Sequence, residues 1–267
     1  MTQSFQDGPR AGQVAAGGTA PAAATPAVGD VPTPKLSIVI PVYNEEQILE
    51  TAVTTLVGKV RELGRSFELI LAANGCRDQT IPLARQLSEK FPEVRLLECP
   101  TPNYGAALKL GMLQARGDVV LCDEIDLCDV DFYRRALELL DRGEAQLVVG
   151  SKAMEGADDR RPALRKAGTR VINGMLRVSL GFQGTDTHGL KAFSRTALLP
   201  VIHACVVDKD LFASEFVIRA QRAGVASREI PVSLEEQRKP SIHLMRRVPN
   251  VLKNLARLVY VIRLQAP

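Results

Sequence analysis

From Leu36 to Val149 the chain alternates short, nearly unbroken apolar runs with longer stretches of helical periodicity, and this alternation is what most constrains its fold. Leu36–Val42 is a continuous apolar run of strand length. A strand with one wet face would alternate apolar and polar residues, so such a run belongs to a sheet covered on both sides. Ile48, Leu49, Ala52, Val53, Leu56, Val57 and Val60 then recur at helical spacing, and Gly64 stops the pattern. Phe67–Ala72, Val94–Leu97, Val119–Cys122 and Leu147–Val149 read as further strands. Helices are predicted over Ile81–Phe91, Ala106–Arg116 and Phe132–Leu140, with Pro82 tolerated in a first turn. Strand–helix alternation of this kind predicts an α/β fold, a mostly parallel sheet with helices on both faces. No internal repeat is visible.

Composition divides the chain into three parts. Residues 1–34 are dominated by Ala, Gly, Pro and Thr and bury too little to offset their ordering entropy, so a disordered extension is expected there. A folded domain over 35–237 follows, then a basic segment over 238–267 that holds seven Lys and Arg and no acid. With a net charge of +4 for the whole chain, the body is mildly acidic, which argues against general nucleic-acid binding and for a tail that meets something anionic. Aromatic content of 4% without Trp argues against a module that stacks sugars on rings. The five cysteines have no CxxC spacing and read as reduced, mostly buried thiols. The start of the chain lacks the basic and apolar regions of a signal peptide, and no run reaches the roughly 18 apolar residues of a membrane span. The expectation is a cytoplasmic protein, soluble or peripheral at the inner face of the membrane.

In parallel sheets ligands bind beyond the carboxyl ends of the strands, which singles out the residues there. Pro41-Val42-Tyr43-Asn44-Glu45-Glu46 follows the first strand, Ala73-Asn74-Gly75-Cys76-Arg77-Asp78 the second, and Asp123-Glu124-Ile125-Asp126 the fourth. Taken singly, Asn44 and Asp78 read as helix caps. The acids around Asp126 exceed what capping needs. In an extended segment Glu124 and Asp126 share a side while Asp123 faces elsewhere. Two carboxylates on one edge suit Mg²⁺ or Mn²⁺ with coordination sites left for phosphate oxygens. An acidic, solvated loop is the competing reading, and Asp129 and Asp131 fit the dipole of the next helix.

LSIVIPVYNEE (Leu36–Glu46) resembles the opening strand and loop of the family 2 glycosyltransferases, which have the GT-A fold. Asp186-Thr187-His188-Gly189-Leu190-Lys191-Ala192-Phe193 resembles the D-x-x-x-G-x-K segment of their polyprenyl-phosphate (dolichyl-phosphate) mannose and glucose synthase branch, with one residue fewer between the Asp and the Gly. Glu229-Ile230-Pro231-Val232 and Arg238-Lys239-Pro240-Ser241 are similar to that branch's E-[IV]-P-V and R-x-x-S segments. The likeness runs from about Leu36 to Ser241. It implies inverting transfer of a hexose from a nucleotide diphosphate sugar to a polyprenyl phosphate, a lipid-phosphate acceptor at a membrane surface. By the same likeness, Pro41, Tyr43, Glu45 and Asn74 line the nucleotide pocket, and Asp123 belongs with them. Glu124 and Asp126 take the place of the D-x-D that holds metal and diphosphate. Asp186, Gly189 and Lys191 approach the sugar and the acceptor phosphate, and Arg238 and Ser241 clamp phosphate.

The chain departs from the family pattern at three places. Asn74 stands where an Asp usually reads the base, Glu124 replaces the first Asp of D-x-D, and Asn103-Tyr104-Gly105 lacks a Lys often found there. Two further readings therefore stay open: transfer to a hydroxyl on a soluble acceptor, and a nucleotide-sugar-binding homologue without turnover. A hydroxyl acceptor needs a base, for which Asp186, Glu215 and His188 are candidates; Glu215 and His188 read equally as packing and hydrogen-bonding residues. The absence of GxGxxG after the first strand disfavours a dinucleotide dehydrogenase, and the lack of a glycine-rich phosphate loop a sugar nucleotidyltransferase.

In the basic tail, Pro249 suits the first turn of a helix running to about Leu264. Val248, Val251, Leu252, Leu255, Leu258, Val259 and Ile262 form its apolar stripe, with Arg246, Lys253 and Arg257 mostly off it. Such a stripe either packs on the catalytic domain or lies on an anionic membrane surface.

Overall fold

The computed structural model describes residues 33–158, 160, 163–209, 211–233 and 244–264. Most of the expected N-terminal extension, together with Arg238 and Ser241, lies outside them. The described strands are β1 (Leu36–Val42), β2 (Phe67–Asn74), β3 (Val94–Cys99), β4 (Val119–Cys122), β5 (Leu147–Ser151), β6 (Lys191–Ser194) and β7 (Ser227–Pro231). They form one sheet in the order β3-β2-β1-β4-β6-β5-β7. β1 pairs in parallel with β2 and β4, β2 with β3, and β5 with β7. β6 alone runs antiparallel, between β4 and β5.

Every residue of β1 and β2 is buried, the polar Ser37, Glu68 and Asn74 included, as their largely apolar runs require of central strands. Their period of two splits the interior into two cores. Ile38, Ile40, Leu69 and Leu71 face one side with α1 (Leu49–Arg61), α2 (Thr80–Lys90) and α4 (Val130–Asp141). Val39, Ile70, Val120 and Phe193 face the other with α3 (Tyr104–Gln114), α5 (Ala163–Leu180), α6 (Arg195–Ala204) and α7 (Phe212–Arg222). Helices on both faces of a mostly parallel sheet match the sequence expectation.

Boundaries differ where pairing or capping decides them. β2 runs on to Asn74 because Asn74 pairs with Cys99 of β3. α3 begins at Tyr104 because the side chain of Asn103 accepts from the backbone N–H of Ala106 and caps it. The last helix, α8 (Leu244–Leu264), starts five residues before Pro249, which is therefore interior rather than first-turn. The preceding Leu, Met and Arg residues are good helix formers, and a proline here removes only one backbone hydrogen bond. Leu255, Leu258 and Ile262 are buried in the second core with Val259 packed beside them. That part of the stripe faces protein rather than a bilayer. No described helix is long and apolar enough to cross a membrane.

Candidate active site

The carboxyl ends of β1, β2, β4 and β5 open on one edge of the sheet, and the antiparallel β6 brings its amino end to the same edge. Lys191, the first residue of β6, pairs with Cys122 of β4 and Val149 of β5. The Asp186–Lys191 loop and the acid-rich loop after β4 are thereby neighbours, although Asp186 lies sixty positions after Asp126 in sequence.

The loops after β1 and β2 are stitched together. Asn44, at φ 54°, accepts from the backbone N–H of Arg77 (2.9 Å), and Glu46 accepts from that of Gln79 (2.9 Å). The Glu45 N–H donates to Thr80 Oγ1 at 2.7 Å. Asp78, one residue before the Gln79 N-cap, accepts from the backbone N–H of Thr80 at the start of α2 and from that of Glu46, and Asn44 ties two loops together rather than capping its own helix. Pro41 is a buried β1 residue, and Tyr43 beyond it is 44% exposed.

The acids after β4 separate into two kinds. Asp123 is buried and accepts from the Tyr133 hydroxyl (2.6 Å) and from the backbone N–H of Glu124 (2.6 Å) and of Asp129 (3.0 Å). Burial pushes its carboxyl up to about 7 against these hydrogen bonds. Through these bonds it braces the loop. Glu124 is exposed and Asp126 half-buried, and neither carboxylate takes a hydrogen bond or ion pair from the described residues. Desolvation, then the Asp126 charge, raises Glu124, while Lys152 and Lys191 oppose. Asp129 caps α4 through Phe132, and Asp131 pairs with Arg135, so both serve the helix.

Across the crevice, Asp186 is fully buried and ion-paired with Lys152 at 3.3 Å, and it accepts from the His188 backbone N–H at 2.9 Å. Burial works against its ionised form, but Lys152 and these contacts hold it below the usual carboxylate range. The His188 ring meets the Thr187 hydroxyl at 3.1 Å. Lys191 is buried, donates to the Gly189 carbonyl at 2.7 Å, and has its ammonium pKa lowered by that burial. Gly189 is required by close approach: a Cβ there would lie 1.7 Å from the Gly150 carbonyl oxygen. Glu229 accepts from the Thr185 N–H (2.8 Å), the Thr185 hydroxyl (2.6 Å) and the Asp186 N–H (3.3 Å), and so fixes this loop. Glu215 lies elsewhere. It is buried, accepts from Val206 and Val207 N–H and pairs with Arg219, which is a packing role.

Lys152 and Tyr104 escaped the sequence reading. Lys152 directly follows β5, where the carboxyl-end rule applies as it does to the other strands. Tyr104 opens α3 and is 46% exposed. Desolvation, followed by the charges of Glu124, Cys122, Asp123 and Asp126, raises its phenol.

The description Glycosyl transferase family 2 matches residues 37–200, more than half of the chain. The chain belongs to glycosyl transferase family 2. Its relatives include the glycosyltransferase AglD of Haloferax volcanii, 32% identical over 85% of this chain and 36% of that protein. A dolichyl-phosphate beta-glucosyltransferase (ALG5A) of Trichomonas vaginalis is 28% identical over 79% of this chain and 69% of that one. An undecaprenyl-phosphate 4-deoxy-4-formamido-L-arabinose transferase of Pseudomonas aeruginosa is 31% identical over 65% and 51%. The chain thus spans about a third of the length of the first and half of the third. Among solved structures, glucosyl-3-phosphoglycerate synthase of Mycobacterium tuberculosis in complex with uridine diphosphate superposes with a TM-score of 0.61 at 20% identity. The match covers 85% of this chain and 80% of that one, and confirms the GT-A fold.

Proposed function

We propose that this glycosyl transferase family 2 chain moves a hexose, with inversion, from a nucleotide diphosphate sugar to a polyprenyl phosphate at the inner, cytoplasmic face of a membrane. The observation that carries the reading is the pair of carboxylates Glu124 and Asp126, without partners among the described residues, on the loop that strand pairing sets beside the buried Lys191 and the Lys152–Asp186 ion pair. The names of the relatives support the acceptor class.

Glu124 and Asp126 fit Mg²⁺ or Mn²⁺: both are hard oxygen donors, neither has a partner among the described residues, and two protein ligands leave positions for diphosphate oxygens. Among the described residues no group of three or more His, Cys, Asp or Glu is arranged for a metal, so the donor must complete the shell. When bound, the cation neutralises charge developing on the departing diphosphate. Pro41, Tyr43, Glu45 and Asn74 border the nucleotide. Lys191 and Lys152 offset the negative charge of the two phosphate groups brought together, and the Asp186 loop with Gly189 positions the sugar. Attack of an acceptor phosphate oxygen on the anomeric carbon forms the new bond as the bond to the diphosphate breaks, its electron pair leaving with the diphosphate. That oxygen is already ionised near neutral pH, so no general base is required. Asp186, held by Lys152, is placed to orient rather than to take a proton. Arg238 and Ser241 would add to the phosphate clamp.

Packing of the α8 stripe from Leu255 to Ile262 into the core favours a second reading, transfer to a soluble acceptor, because that apolar face is spent. A panel of nucleotide diphosphate sugars incubated with polyprenyl phosphate or with soluble acceptors, in Mn²⁺ or EDTA, distinguishes them. Metal-dependent glycolipid product is the expected result; product only on soluble acceptors would replace the lipid reading, and none at all would overturn both.

A further inference from the structure

Asn74 ends β2 at the crevice and is 5% exposed. Its Oδ1 accepts from the backbone N–H of Asn103. An N–H needs an acceptor and the carboxamide has only one, so this contact fixes which way the group points. The Nδ2 hydrogens are turned away from Asn103, and among the described residues nothing accepts from them. Asn103 cannot drift to release the constraint, because its own side chain caps α3 through Ala106 at 3.2 Å. Gly75, at φ +62°, lets Thr101 and Pro102 close over the strand end, where a Cβ would lie 2.6 Å from Pro102. The exposed Tyr43 and Tyr104 stand on the two neighbouring elements.

The crevice therefore presents an oriented donor that no described residue engages, on a side chain that is otherwise buried. A carboxylate at this position would accept from Asn103 with one oxygen and from a ligand N–H with the other; the carboxamide reverses the second half of that pattern. Resting on the proposed nucleotide-sugar site and deepening it, we propose that Asn74 selects donors whose base carries a hydrogen-bond acceptor at the ring nitrogen of its pairing edge. Cytosine N3 and adenine N1 accept; uracil N3 and guanine N1 carry a hydrogen. Uracil would have to slide to bring a flanking carbonyl to the amide, leaving its own N–H unmatched in a confined site. Cytosine against uracil is the cleanest comparison, since the two rings have the same size and differ only along this edge.

The test is calorimetric binding of CDP, UDP, ADP and GDP, each with Mn²⁺, to the full chain and to Asn74→Asp. The variant keeps an acceptor for Asn103, so the local fold is retained. The unmodified chain is expected to bind CDP about tenfold more tightly than UDP, the scale of one well-placed hydrogen bond against a mismatched one. Asn74→Asp should reverse the order, with ADP and GDP following the same sense. Equal binding of CDP and UDP, or tighter UDP binding by the unmodified chain, overturns the selectivity while leaving the nucleotide site standing. Failure of all four to bind overturns the nucleotide site and the selectivity with it.

Discussion

Two groups of charged side chains sit at opposite edges of the same sheet. At the amino edge, Glu68 accepts from the Ser37 hydroxyl (2.7 Å), the Arg116 N–H (2.7 Å) and the guanidiniums of Arg95 and Arg116. At the carboxyl edge, Asp186 and Lys152 pair, Lys191 rests on a carbonyl, and Glu124 and Asp126 have no partner among the described residues. Buried charge is tolerated only when compensated. The amino-edge network is saturated from within, as a structural brace must be. The carboxyl-edge network has capacity left over, and spare capacity in a crevice is what a ligand uses.

If that contrast is right, the two edges respond differently to substitution. Asp126→Ala is expected to lower transfer about a hundredfold or more, the scale of losing charge stabilisation at a leaving group, with an unchanged melting curve; a steady-state assay beside calorimetry checks it. Glu68→Ala should do the reverse, lowering stability by about 2 kcal/mol in denaturant melts because the Ser37 hydroxyl and the Arg116 backbone N–H lose their acceptor, while the carboxyl edge keeps its geometry.

Glu68 also sharpens the contrast through pH. Burial pushes its carboxyl up, but hydrogen bonds from Ser37, Arg95 and Arg116 outweigh that and lower it below the ordinary 4.5. A carboxyl depressed in the folded state contributes stability present above its unfolded pKa and lost as pH falls through the folded value. Melts of the unmodified chain should therefore weaken below about pH 4.5, and those of Glu68→Gln should weaken less over the same window.

Smaller effects are expected from the residues that hold the site in place. Glu229→Gln leaves Asp186 paired with Lys152 but loosens the Thr185 turn, and should reduce kcat by about tenfold, the cost of misplacing a positioned group. Tyr133→Phe removes one of three donors to Asp123 and should cost about 1 kcal/mol of stability, with a modest fall in activity as the loop carrying Glu124 and Asp126 loosens.

What was legible in the sequence follows from the same physics. The β1 to β5 alternation is readable because fully buried strands and amphipathic helices leave different periodicities. The carboxyl-end rule led to Asn74, Glu124 and Asp126 without coordinates. β6 escaped periodicity because Lys191–Ser194 is four residues long and begins with a buried lysine that only its site explains. The division of labour between Asp123 and its neighbours was half visible: alternation put Asp123 on another side, but its saturation depends on Tyr133, a helix away. Lys152 was overlooked because a lone lysine after a strand gives no pattern; its meaning comes from Asp186, thirty-four residues later. The fate of the α8 stripe was undecidable from sequence, since an apolar helix face looks the same whether protein or lipid covers it.

The central claim is that Glu124 and Asp126 hold a divalent cation that completes its shell with a nucleotide diphosphate. Titration of the four nucleoside diphosphates into the full chain, in Mn²⁺ and again in EDTA, with Asp126→Ala alongside, tests it most directly. The account predicts binding that weakens at least tenfold when the metal is removed, and an Asp126→Ala variant that binds equally poorly with or without Mn²⁺. Tight binding unaffected by EDTA, or an Asp126→Ala variant that keeps the full Mn²⁺ response, would contradict it.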